Sequence, residues 1–141
     1  MNYCFRVALH DTDAAGVMFF AHLLRHAHDA YEHWLANLGV DLCQLIAAGV
    51  ALPIVHASAD YLAPLRHGDA VEVAVSLADL SQRRFRLEYK FYSASQQLLA
   101  RAQTVHVAID PQQHRACPLP ETLQHIFAEL QASAANSRSV R

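Results

Sequence analysis

The sequence predicts an α+β domain in which one antiparallel sheet of about five strands curls around a single long helix. Three observations carry this prediction. The stretch from Asp11 to Gly39 holds the longest helical hydrophobic pattern in the chain. Three later stretches alternate apolar and polar residues with the period of a half-buried strand. The helical apolar arc is also too wide for one flat contact. At about 100° per residue, Phe19, Phe20, Leu23, Leu24, Ala27, Ala30, Tyr31, Trp34, Leu35 and Leu38 fall within roughly 160°. Such an arc needs cover on more than one side.

In chain order, residues 3–9 (YCFRVAL) read as a first strand that delivers the chain to Asp11. On the long helix, His22, Arg25, Asp29, Glu32 and His33 take the side opposite the apolar arc, and His28 sits at its margin. Gly39 supplies the left-handed stop. Leu42 to Ala48 reads as a short second helix ended by Gly49. Leu52 to Leu62 is extended, with Pro53 suited to a strand start or an edge because it has no N–H to donate. Ala57 and Ala59 point the same way there and leave room for a bulky neighbour.

The clearest alternation follows. Val71, Val73, Val75 and Leu77 form one apolar set, and Phe85, Leu87, Tyr89 and Phe91 a second. Leu99, Val105, Val107 and Ile109 share a parity in the third, interrupted by Arg101 and Gln103. Short polar connections between these runs describe an antiparallel meander. Pro120 opens a terminal helix with Leu123, Ile126, Phe127 and Leu130 at helical spacing. The expectation is one domain over residues 1–131 and a flexible tail over 132–141, which has little to bury.

Composition narrows the classes. Of 141 residues, 53% are hydrophobic and only 17% charged, which favours burial of some surface in an oligomer. A net charge of −2 argues against a nucleic-acid partner. No apolar run approaches the roughly 20 residues of a membrane span, and the start has no signal-peptide layout. Cys4, Cys43 and Cys117 are odd in number and lack CxxC spacing, so a reducing cytoplasm is expected and a disulfide framework is not.

The chemistry candidates centre on Asp11 and Asp13, which precede the helical pattern. They have two readings. Either carboxylate could cap the helix, worth about 1 kcal/mol. Alternatively, one acts as nucleophile or general base beside helix amides, around Val17 to Phe20, that stabilise an oxyanion. His22 and His26 are four apart, but no third ligand is placed by spacing, so no metal is expected. Arg83, Arg84 and Arg86 suit either phosphates or a solvated strand face. No GxSxG elbow supplies a hydroxyl nucleophile.

The segments DTDAAGVMFFAHLL, PIVHASADYLAPLRHGDAVEV (53–73) and SQRRFRLEYKF resemble the hotdog-fold acyl-CoA thioesterases of the 4-hydroxybenzoyl-CoA thioesterase type, over residues 3–128. The carrying motifs are D-x-D-x-x-G-[VI] and Y-x-x-P-x-x-x-G-D (Tyr61, Pro64, Gly68, Asp69). The resemblance implies a central helix wrapped by a curved sheet, and a homodimer assembling to a homotetramer with active sites at the dimer interface. It implies Asp13 as the catalytic carboxylate, with Gly16 in its turn and the Phe20 backbone amide polarising the thioester carbonyl. Arg83 and Arg84 are implied at the coenzyme A phosphates, partly from a neighbouring subunit. Coenzyme A belongs to the substrate, and no cofactor is implied.

Two positions depart from neighbouring subgroups: Phe20 stands where Tol-Pal-associated thioesterases carry a histidine, and His28 stands where an acid is usual. DTDAAGV, HAHDAYE, PIVHAS and HRACPLPE together are more similar to the 1,4-dihydroxy-2-naphthoyl-CoA thioesterases. That likeness implies an aromatic acyl group beside Phe19, Phe20, Ala57 and Ala59, with His28 meeting a phenolic hydroxyl and His56 and Ser58 on the substrate. The alternatives are a 4-hydroxybenzoyl or broad short-chain acyl-CoA thioesterase, and a non-catalytic acyl-CoA binding module.

Overall fold

A computed structural model describes residues 2–139. Strand β1 (Tyr3–Arg6) leads through a 3-10 turn (Leu9–Asp11) to the long helix α1 (Phe20–Asn37) and the short α2 (Leu42–Ala47). Four long strands follow: β2 (Ile54–Tyr61), β3 (Ala70–Leu80), β4 (Arg84–Ser93) and β5 (Leu98–Val107). A small ribbon of β6 (Ile109–Asp110) and β7 (Arg115–Ala116) precedes the terminal helix α3 (Glu121–Ser139).

The five principal strands form one antiparallel sheet in the order β1-β3-β4-β5-β2. Helix α1 touches β3 and also β1 and β2, the two opposite edges, so the sheet curls around it. This is the hotdog arrangement the resemblance implies. Leu23, Ala27, Ala30, Tyr31 and Leu35 of α1 are buried in one core with Val71, Val73, Phe85, Leu87, Tyr89 and Phe91 of the sheet. Each large side chain contributes about 1.5–3 kcal/mol by leaving water. The alternation of β3 and β4 thus points its apolar sets inward as expected. Leu119, Leu123 and Phe127 of the C-terminal segment complete the core.

Three details sharpen or depart from the expectation. Helix α1 begins at Phe20, the far end of the Val17 to Phe20 stretch expected to open it, because residues 12–18 fold into a tight turn with Gly16 at φ +78°. In β5 the inward parity is reversed from Ala100 onward. Ala100, Ala102, Thr104 and His106 are buried, while Val105 and Val107 lie on the outer face. The cause is a register shift against β4 between Phe91 and Tyr92, since one extra residue in a strand exchanges its two faces. The helix extends to Ser139, past the expected boundary at 131. The segment continues the helix with no Gly or Pro to stop it, although residues 131–137 are exposed. Residues 140 and 141 of the expected tail lie outside the described residues.

Candidate active site

The turn between the 3-10 segment and α1 is closed by its own backbone. Asp13 N–H donates to the Val17 carbonyl (2.9 Å), Gly16 N–H to the Asp13 carbonyl (3.0 Å), and Phe19 N–H to the Asp11 carbonyl (2.9 Å). Gly16 takes a positive φ that a side chain would strain. The Asp13 carboxylate is exposed, and its Oδ1 accepts from Ala15 N–H (2.8 Å). That bond fixes the carboxylate's direction and leaves Oδ2 without a partner among the described residues. Neither Asp11 nor Asp13 caps α1, whose N-cap position is Phe19 with no side-chain cap. The amide of Phe20, in the first turn, has no intrahelical acceptor. An oriented carboxylate on the turn and an uncapped helix start thus flank the entrance to α1.

The second motif braces the first. Met18 N–H donates to the Leu65 carbonyl (2.7 Å), and Val17 bridges Arg66. The Tyr61 hydroxyl donates to the Phe20 carbonyl at the helix start. Asp69 accepts from Arg66 N–H (2.9 Å) and closes the loop at Gly68, φ +88°. Two segments about fifty residues apart in sequence thus meet at one turn, which explains why they occur together.

Around this entrance the surface is apolar. Phe20 (64% exposed), Phe19, Tyr61, Leu62, Val55 and Ile54 remain uncovered along the start of α1 and the edge strand β2. In β2, Ala57, Ala59 and Tyr61 pair with Thr104, Ala102 and Ala100, residues that face the helix, so these three line the inner side. His56 and Ser58 pair with Val105 and Gln103 and therefore face the outer side. The structure does not bring His56 or Ser58 to Asp13 within one chain. Arg83 and Arg84 are exposed at the β3–β4 connection, away from the Asp13 turn in sequence and sheet position.

The two histidines at the margins of the helical arc separate. His28 is exposed, 5.6 Å in ring-centre distance from Tyr31. His26 is buried against Phe5, with ring centres 3.8 Å apart, and its Nε2 lies 3.0 Å from Asp11. Asp11 also accepts from Arg25 and from Ala8 N–H. Burial alone raises the Asp11 carboxyl, but the Ala8 amide and the His26 and Arg25 partners outweigh it and hold the group below the usual carboxylate range.

A second buried histidine was hidden by the reversed parity of β5. His106 lies between Phe85 (4.7 Å) and Tyr31 (4.5 Å). Its Nδ1 faces the Leu52 carbonyl (3.3 Å) and its Nε2 faces Thr104, which meets the Tyr89 hydroxyl (2.9 Å). The carbonyl accepts only, so Nδ1 carries the proton and Nε2 accepts. Burial lowers the His106 pKa to about 4 and raises that of Tyr89 to about 12. Among the described residues no group of three His, Cys, Asp or Glu side chains is arranged to hold a metal. No helix there is long and apolar enough to cross a membrane.

A long helix wrapped by one curved antiparallel sheet, entered through a tight turn that carries an exposed carboxylate, is the hotdog class of fold. Comparison with known proteins agrees. The Thioesterase-like superfamily model matches residues 7–127, and the chain belongs to that family. It is 42% identical over 126 residues to the 1,4-dihydroxy-2-naphthoyl-CoA hydrolase of Microcystis aeruginosa, covering 89% of this chain and 91% of the relative. The crystal structure of a 1,4-dihydroxy-2-naphthoyl-CoA thioesterase from Synechocystis superposes with a TM-score of 0.85 at 42% identity, covering 92% of this chain and 96% of that one. A gentisyl-coenzyme A thioesterase structure gives a TM-score of 0.82 at 32% identity, over 89% and 98% of the two chains.

Proposed function

We propose that the protein hydrolyses an aromatic acyl-CoA thioester, with 1,4-dihydroxy-2-naphthoyl-CoA as the substrate of choice. The carrying observation is the exposed Asp13 carboxylate, oriented by Ala15 N–H on the turn that leads into the uncapped start of α1, with exposed apolar side chains nearby in sequence at Phe19 and Phe20. The 42% identical relatives named for that substrate support the acyl group. The gentisyl relative supports the wider class of hydroxylated aromatic acyl groups.

In this reading the thioester carbonyl oxygen accepts from Phe20 N–H, which stabilises the charge that develops as the carbon becomes tetrahedral. Asp13 attacks that carbon and expels the coenzyme A thiolate, leaving an anhydride that water hydrolyses, or it takes a proton from water that attacks directly. Label found in Asp13 after single turnover in isotopically labelled water identifies the covalent route, because only an anhydride opened at the Asp13 carbonyl carbon places it there. Phe19, Phe20, Ala57 and Ala59 line the ring site, and His28 meets a phenolic hydroxyl. These groups and water complete the reaction, so no cofactor is invoked.

The proposed active unit is a homodimer assembling to a homotetramer. Strand β2 lies at the sheet edge with Ile54, Val55, Tyr61 and Leu62 exposed, a surface suited to pairing with a second copy. His56, Ser58, Arg83 and Arg84 enter the substrate site in this reading only through such neighbours. Three cysteines without disulfide partners fit a reducing, cytoplasmic setting.

Free-thiol release from a panel of dihydroxynaphthoyl, 4-hydroxybenzoyl and short aliphatic thioesters tests the assignment. Asp13→Asn is expected to fold normally and to lose at least about 100-fold in kcat. Near-normal turnover by that variant refutes the mechanism, and a higher kcat/KM for aliphatic thioesters refutes the substrate class.

A further inference from the structure

Asp11, two residues before Asp13, is enclosed to 1% exposure, yet no step of the proposed chemistry uses it. A lone carboxylate there would be strongly disfavoured. Instead it accepts from Ala8 N–H (3.0 Å), from Arg25 and from His26 Nε2 (3.0 Å). Because the carboxylate only accepts, the contact assigns the His26 proton to Nε2, and Arg25 Nη2, 3.2 Å from that nitrogen, donates to Asp11 instead. Burial holds the imidazole pKa below its ordinary value despite Asp11. Its buried Nδ1 has no partner among the described residues. The other ionisable neighbours are Asp29, 3.7 Å from Arg25, and the exposed His10, 3.9 Å from Asp11.

The backbone of Asp11 makes a further tie, since its carbonyl accepts from Phe19 N–H. One residue therefore joins the chain before the turn (Ala8), the residue that leaves it (Phe19) and the second turn of α1 (Arg25 and His26). A buried ion pair adds little net stability over well-packed apolar residues. What these bonds supply is direction, because three separate segments meet at one residue, Ala8 and α1 at its carboxylate and Phe19 at its backbone carbonyl.

We propose that Asp11, held by Arg25 and His26, is a positioning residue that sets where the turn presents Asp13 relative to the start of α1. The inference rests on the reading of Asp13 as the catalytic carboxylate. A misplacement of about 1 Å at a reacting group costs on the order of 100-fold in rate. Asp11→Asn keeps the size but weakens the bonds to Arg25 and His26, and Arg25→Ala removes one arm from a half-exposed position.

The test compares kcat and KM for thioester hydrolysis by Asp11→Asn, Arg25→Ala, Arg25→Lys and Asp13→Asn, and by Asp11→Asn combined with Asp13→Asn. Each sample is first checked as folded by circular dichroism and thermal unfolding. Asp11→Asn and Arg25→Ala are expected to lower kcat by about 10- to 100-fold with KM within about 3-fold, and Arg25→Lys to recover most of the loss. In the Asp13→Asn background, Asp11→Asn is expected to add less than about 3-fold, because misplacing a group already removed costs nothing. A merely structural role would leave kcat per folded molecule unchanged or multiply the losses, and either result overturns the proposal. If Asp11→Asn does not fold, the Arg25 pair decides: equal kcat for Arg25→Ala and the wild type overturns it. Near-normal activity of Asp13→Asn removes the underlying reading as well. Activity in Asp11→Asn beside an inactive Asp13→Asn overturns this inference alone.

Discussion

At Asp13 a single hydrogen bond, from Ala15 N–H, separates a carboxylate with a fixed direction from one that wanders. In the proposed reading His28 is the corresponding residue for specificity. It is exposed beside Tyr31, where an acid would carry charge and only accept hydrogen bonds, whereas neutral imidazole both donates and accepts. A buried bond to a substrate hydroxyl is worth about 1–3 kcal/mol once its loss leaves a polar group unpaired. His28→Phe is therefore expected to lower kcat/KM for the dihydroxynaphthoyl thioester by about 10-fold or more and that for the unhydroxylated naphthoyl thioester by less than about 3-fold. Equal losses on both substrates would place His28 outside hydroxyl recognition.

Among the elements, β2 is the least complete. It pairs with β5 on one side only, through a register shift between Ile54 and His56. Its inner-face residues Ile54 and Tyr61 are 41% and 46% exposed, so neither the backbone edge nor the apolar face is satisfied within one chain. Replacing Ile54 and Val55 together with lysine puts two charges on this edge, a common natural device against edge pairing. Sedimentation is expected to show a monomer with thioesterase activity reduced at least about 10-fold, since the proposed site draws on the neighbouring chain. An unchanged oligomer would move the interface elsewhere.

The whole molecule carries buried histidines whose protonation opposes folding. His106 titrates near 4 in the fold against an ordinary 6.5, so the unfolded chain binds the extra proton between those values. Stability then rises with pH across that interval and is lost as pH falls from about 6.5 toward about 4, by roughly 3 kcal/mol in all. His26 acts in the same direction, its own pKa also being lowered chiefly by burial. Asp11 acts lower: its depressed pKa gives stability present above the ordinary 3.8 and lost on further acidification. Thermal unfolding across this range is expected to show Tm falling well before carboxylates titrate, and His106→Gln to flatten that fall. A flat wild-type profile between about 6.5 and about 4 would contradict the assignment of a neutral, buried His106.

The sequence by itself determined the elements and the class of fold. Period-two runs at Val71–Leu77 and Phe85–Phe91 can satisfy a core only as strands with those faces inward, and the wide arc of α1 requires a sheet that bends around it. The motif around Asp13 was legible because a positive-φ glycine and the flanking acids have few interchangeable alternatives. Tertiary structure decided the rest, because it turned on contacts between distant segments. Periodicity alone cannot say which margin of a helix is covered, so only the position of β1 sent His26 inward and left His28 out. A one-residue register shift buried His106 in place of Val105 and Val107, a choice invisible to local alternation. Asp11 reads like a cap in sequence; its role as the meeting point of Ala8, Arg25 and His26 exists only once the turn and the helix lie side by side.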